Sequence, residues 1–188
     1  MNNRTSFASR MAHGCRKTLV ASGLALIVIP AGCTTGSLST EYYDVSGATV
    51  EQVFQQVSRH GPDNGKAIGQ TKVAMGMSVW TVENSRECRV ADARIELDLK
   101  VVLPKWSELN ETDANARSQL KYLSKIVERH EHRHVEIARR YARQIERELK
   151  QMPPQPDCQR LAKEAKGVFR NGLAEHNRAQ KRFDELDA

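Results

Sequence analysis

Cysteine is scarce in this chain, and its four copies never form a C-x-x-C pair. Ribbon-type zinc sites are built on such pairs, so cysteine is disfavoured as a zinc ligand here. No apolar run reaches the ~20 residues that a membrane-spanning helix needs; the longest, residues 19–29, stops well short. No internal repeat or low-complexity tract is present, which excludes a solenoid or a fibrous chain. Acidic residues are missing from residues 1–18, which do hold Arg4, Arg10, Arg16 and Lys17.

That last absence marks a leader. A charged start, the apolar run 19–29 and then Pro30-Ala31-Gly32-Cys33 have the layout of a secretory signal over residues 1–32. The Ala-Gly-Cys ending resembles a bacterial lipobox, in which the cysteine becomes the lipidated first residue. Pro30 stands where an aliphatic residue is usual, and ordinary cleavage near Ala31 is the other reading. Either route exports the protein, to the periplasm or to a membrane-anchored place in the cell envelope. A lipid on Cys33 would make the membrane a partner.

The leader also accounts for most of the charge. The full chain has 29 basic and 23 acidic residues, a balance of +6. Four of the basic residues and none of the acidic ones fall in the leader, leaving 25 against 23, or +2. So small an excess excludes nucleic acid as an expected partner. In an exported chain the two cysteines clear of the leader, Cys88 and Cys158, most simply join. A loop of 70 residues closed that way is stabilised by about 4 kcal/mol in the chain-entropy model.

Residues 33–40 are small and polar, a short tether, and 41–188 are enough for one domain. Residues 41–45 have strand composition, and Ser46-Gly47 turns the chain. Thr49 and Gln52 form a capping box ahead of Val50, Val53, Phe54 and Val57, one face of a helix that Gly61-Pro62 ends. Residues 68–82 read as a strand. In residues 94–103, Ile95, Leu97, Leu99, Val101 and Leu103 alternate with mostly charged neighbours, and Pro104 is expected to stop that strand. The two strands are expected to pair antiparallel. A long helix follows, with Leu120, Leu123, Val127, His130, His134, Ile137, Tyr141 and Ile145 as its inward stripe. Pro153, Pro154 and Pro156 break it. A C-terminal helix from about Asp157 to Leu186 carries Leu161, Ala165, Val168, Gly172, His176 and Phe183 on one stripe. The class is α+β: a small antiparallel sheet packed with about three helices.

The long helix holds His130-Glu131-His132-Arg133-His134, which contains H-E-x-x-H. At about 100° per residue, positions four apart lie about 40° apart, so His130 and His134 share a face and can hold one Zn²⁺. Glu131, beside the first His, is the expected general base. His132 lies about 200° round from His130 and is expected to be solvated. A helix rich in Arg, His and Glu whose letters merely match the motif is the competing explanation.

The third ligand is not set by the motif. Ile137 and Arg140 stand where a metzincin has Gly and His, which excludes that class. His176 is the candidate on the inward stripe of the C-terminal helix. Asp157 reads better as an N-cap, Glu164 as surface charge, and Glu136 points away. Tyr141, farther along the motif face, is placed either to polarise a carbonyl or to fill the core.

Taken together, Tyr42-Tyr43-Asp44-Val45-Ser46-Gly47, the strands around Trp80, the H-E-x-x-H pentad, Cys158 and Phe183-Asp184 resemble a bacterial domain-of-unknown-function family, family 922, regarded as secreted zinc-dependent proteases. The resemblance implies a zincin-like fold, His130 and His134 as zinc ligands and Glu131 as catalytic base. Family members follow the aromatic–Asp pair with Thr-x-His-Gly, whereas here Phe183-Asp184 is followed by Glu185-Leu186-Asp187-Ala188. The expectation is a zinc-dependent peptidase acting on peptide or protein substrates in the cell envelope. The alternative is a catalytically inactive envelope lipoprotein that serves as a binding or structural module.

Overall fold

Alternating β3 residues organise the fold. In the computed structural model, which describes residues 36–107 and 114–187, Ala93, Ile95, Leu97, Leu99, Val101 and Leu103 all face one way and are buried. They belong to β3 (Cys88–Trp106), the central strand of a three-stranded sheet ordered β1-β3-β2. β2 (Gln70–Glu83) pairs with it antiparallel, as the two alternating segments led one to expect. Asn84 shapes the turn between them by accepting the Arg86 and Glu87 amides at 2.8 and 3.0 Å.

β1 (Gly36–Val45) pairs with β3 in parallel, so the sheet is mixed rather than antiparallel. Parallel neighbours need a long crossover, and α1 (Val50–His60), the four-residue α2 (Pro62–Gly65) and β2 supply it. Residues 36–40, expected in a tether, are part of this strand. β3 also runs through Pro104 to Trp106 instead of stopping. Its pairing with β2 ends at Val102, so it is an edge on that side there, and a missing N–H is tolerated. The expected leader, residues 1–32, and Cys33 lie outside the described residues.

Two helices cover the buried face of β3. α3 (Ala114–Lys150) has 37 residues, about 55 Å of helix, and α4 (Cys158–Leu186) runs back along it. With α1 and α2 the helices number four among the described residues, not three. Gly172 of α4 lies where an added Cβ would sit 2.3 Å from Ile145 Cγ1, so glycine lets the two helices approach closely. Asp157 caps α4 by accepting the Arg160 amide at 2.7 Å. Cys88 and Cys158 form a disulfide, and Cys88 also exchanges two backbone hydrogen bonds with Gln155, each 2.8 Å. The α3–α4 connection is thus tied to the sheet at the start of β3. No helix among the described residues is long and apolar enough to cross a membrane.

The inward stripe of α3 is displaced from its sequence reading. Val127, Glu131, Val135, Ala138, Ala142, Ile145 and Leu149 are buried, whereas His130, His134 and Tyr141 sit beside them, partly exposed. The small alanines carry the buried face and the histidines line its border.

A smaller cluster of Val45, Val53, Val57 and Leu120 holds α1 against the start of α3. Tyr43 leans over it and donates its hydroxyl to the Ile68 carbonyl at 2.7 Å. Burial pushes the Tyr43 phenol up to about 12 from 10.0. The bond exists only while the phenol is protonated. Its contribution is therefore complete below pH 10 and is lost as pH rises through about 12. A phenolate absorbance titration is expected to show a late component that Tyr43→Phe lacks.

Candidate metal centre

Two histidines four apart on a straight helix must lie side by side, and here their imidazoles meet. His130 Nε2 and His134 Nε2 are 3.1 Å apart. Asp184 of α4 brings its Oδ1 to 2.9 Å from His134 Nε2 and 3.4 Å from His130 Nε2. These residues are the one group of three or more metal-ligating side chains among the described residues. Phe183 packs on both rings, with centroids 4.8 and 5.0 Å away, and forms an apolar wall.

The far side of each ring is also held by α4. His130 Nδ1 lies 2.8 Å from Asp187 Oδ2, and His134 Nδ1 lies 2.7 Å from Gln180 Oε1. A carboxylate only accepts, so His130 carries its proton on Nδ1. Gln180 Nε2 donates to the His134 carbonyl at 3.2 Å, which leaves Oε1 as the acceptor for His134 Nδ1–H. Both Nε2 lone pairs therefore point at each other and at the Asp184 carboxylate.

Three acceptors so close repel one another unless a cation lies among them, a proton or a metal ion. Ligands held about 2.0–2.1 Å from a tetrahedral zinc lie about 3.3 Å from one another. The observed separations of 2.9, 3.1 and 3.4 Å fit that spacing. The second hydrogen bonds from Asp187 and Gln180 are the kind that fix the tautomer of a metal-binding histidine. The donor set fits zinc.

Glu131 is only 4% exposed, which for a carboxylate demands a partner. Thr71 of β2 provides it, donating to Glu131 Oε2 at 2.7 Å while lying 3.1 Å from the Glu131 carbonyl. Just before β2, Gly69 makes room: a Cβ there would come within 2.8 Å of Glu131 Oε1 and 2.7 Å of Val127. A cleft of ≈ 480 Å³ between β2 and the two helices is lined by His130, Glu131, His134, Asp184 and Thr71.

His176, expected as third ligand, lines the same cleft but is not in the three-residue group. It is buried behind Gln180, whose Nε2 donates to His176 Nε2 at 2.9 Å, while His176 Nδ1 donates to Asn177 Oδ1 at 3.1 Å. Burial holds its pKa below the ordinary imidazole value; the Asn177 bond opposes this and His134 adds to it. That favours the neutral ring which the accepting Nε2 requires. Tyr141 packs edge-on against His176, 5.9 Å between centroids, outside the ligand group. His132 is exposed, bonded to the Glu128 carbonyl, and Glu136 pairs with Arg133. Asp157 is the α4 cap, and Glu164 pairs with Arg160.

Asp184, Gln180 and Asp187 were not singled out as site residues. The signal for them was helical spacing, since 176, 180, 184 and 187 step by four, four and three along one face of α4.

The fold and site thus define an α+β protein with a two-histidine, one-carboxylate centre between a helix pair and a sheet edge. The chain belongs to the family described as "Bacterial protein of unknown function (DUF922)", whose model matches residues 40–187. No curated protein and no solved structure matches it.

Proposed function

We propose that this protein is a zinc-dependent peptidase of the bacterial cell envelope, with a zincin-like arrangement of its H-E-x-x-H helix. The convergence of His130 Nε2, His134 Nε2 and Asp184 Oδ1 beside Glu131 carries the reading. Those three atoms would hold the zinc. When bound, the metal supplies Lewis acidity toward a peptide carbonyl and acidifies water.

The chain's own residues supply the rest. Asp187 and Gln180 keep both histidines in the tautomer that turns Nε2 toward the centre. Glu131 accepts the proton of the attacking water and returns it to the departing amine. Thr71 holds one of its oxygens and thereby aims the carboxylate. Phe183 shields the histidine side from solvent. The Cys88–Cys158 disulfide is consistent with an oxidising, extracytoplasmic compartment. A lipid on Cys33 would tether the protein to the membrane.

Metal analysis tests the reading. One zinc per chain is expected, lost in His130→Ala and His134→Ala and bound at least tenfold more weakly in Asp184→Asn. His176→Ala is expected to keep its zinc. No zinc uptake by the wild-type protein on titration would overturn the proposal.

A further inference from the structure

The helix pair also carries a band of exposed arginines, on the far side of Phe183 from the two histidines. Arg140, Arg143 and Arg182 line one groove, with Ile137 and Phe183 in it and Leu186 at its end. Arg143 also lines a second cavity with Arg139, which opens against Gly36, Ser37 and Leu38 of β1. None of these four arginines forms an ion pair among the described residues; Arg140 lies over the Tyr141 ring. The one acidic side chain in the groove, Glu136, is taken by Arg133 at 2.6 Å. The band is therefore an uncompensated positive surface bordered by two exposed leucines, Leu38 at 46% and Leu186 at 87%.

We infer that this band docks on an anionic phospholipid surface. Guanidinium groups flanked by apolar tips suit the headgroup–acyl boundary, where charge attraction and shallow insertion act together. The start of the chain favours a membrane over an acidic protein. Gly36 stands three residues after Cys33, a reach of about 10 Å in extended chain. That is close to the Debye length of ~8 Å at physiological ionic strength. A bilayer holding Cys33 would lie about one Debye length from the cavity that Gly36 shares with Arg139 and Arg143. The arginine cavity opens at the β1 edge of the sheet and the Glu131 cleft at the β2 edge, on opposite sides of β3.

The inference rests on the envelope placement proposed above but not on metal or catalysis. A form beginning at Thr34 carries no lipid, and the described residues have their own core and disulfide, so it can be tested directly. It is expected to co-sediment with phosphatidylglycerol/phosphatidylcholine vesicles and not with phosphatidylcholine alone. Salt at about 0.5 M should release it. Arg143→Gln should weaken partitioning about fivefold, and the quadruple Gln variant at 139, 140, 143 and 182 more than about 100-fold. Zinc content and circular dichroism should not change, since all four side chains are exposed. Equal binding to neutral vesicles, or undiminished binding by the quadruple variant, would overturn the inference. So would binding to polyglutamate with none to vesicles, which would point to an acidic protein partner. Vesicle binding by a wild-type protein that takes up no zinc would count against the peptidase proposal alone.

Discussion

Glu131→Gln is expected to keep its zinc and its fold while losing turnover by about 10²–10⁴-fold on any peptide the wild type cleaves. Glutamine has the same shape and cannot accept a proton. The environment of residue 131 makes the substitution clean. Glu131 is buried, and a change of size would meet Gly69, Val127 and the sheet. Its contact with Thr71 can reverse direction: the hydroxyl, which now donates to Oε2, can accept from an amide and donate to the Glu131 carbonyl instead. Zinc content, thermal stability and turnover should therefore separate, with only the last affected. Undiminished turnover of a confirmed substrate would remove Glu131 from the mechanism. Thr71→Val is the companion variant. It leaves Glu131 with its charge but without its guide, so a smaller loss of turnover with unchanged zinc content is expected.

Cys88→Ser with Cys158→Ser should lower stability by about 4 kcal/mol, the size that a 70-residue loop implies. For a unit of this length that corresponds to about 8–16 °C in melting temperature. The reason is local as well as entropic. Cys88 is fully buried, and the same residue anchors the α3–α4 connection through its two bonds to Gln155. Without the disulfide, that connection and the start of α4 are held to the sheet only by the two Gln155 hydrogen bonds and by packing. Asp184, the proposed ligand on α4, lies near its other end, 26 residues beyond Cys158. Folding should suffer more than zinc affinity. Denaturant midpoints with and without reductant measure this, and equal midpoints would show that the bridge contributes nothing.

Where the structure departs from local sequence pattern, the causes are physical. A stripe that counts imidazole with isoleucine puts the histidines inward, whereas Ala138 and Ala142, as fully buried as Ile145 and Leu149, hold that face. Alanine carries little hydrophobic signal and so marks a close helix contact poorly. Pro104 lacks an amide and so signals a stop, but β3 is already an edge there on the β2 side. His176, Asp157 and Glu164 are the sequence candidates for a third ligand, and His176 stands out by its stripe. The same stripe brings Gln180, Asp184 and Asp187 to the two rings, and the side chain in reach of both Nε2 atoms is Asp184.

What local spacing can settle, it settled. The four-residue step makes His130 and His134 neighbours on any straight helix, strand alternation picks out the buried side of β3, and Cys88 and Cys158 pair as expected. These follow from the 3.6- and 2-residue periods and from pairing chemistry, which need no knowledge of distant residues. The placement of β1 on β3 and the approach of Asp184, not His176, to both histidine Nε2 atoms belong to the tertiary structure. Both depend on how far one element slides along another, Gly172 against Ile145 and β1 along the open edge of β3. A slide of one helical turn would present a different α4 residue to the histidines, and no local pattern records which turn is chosen.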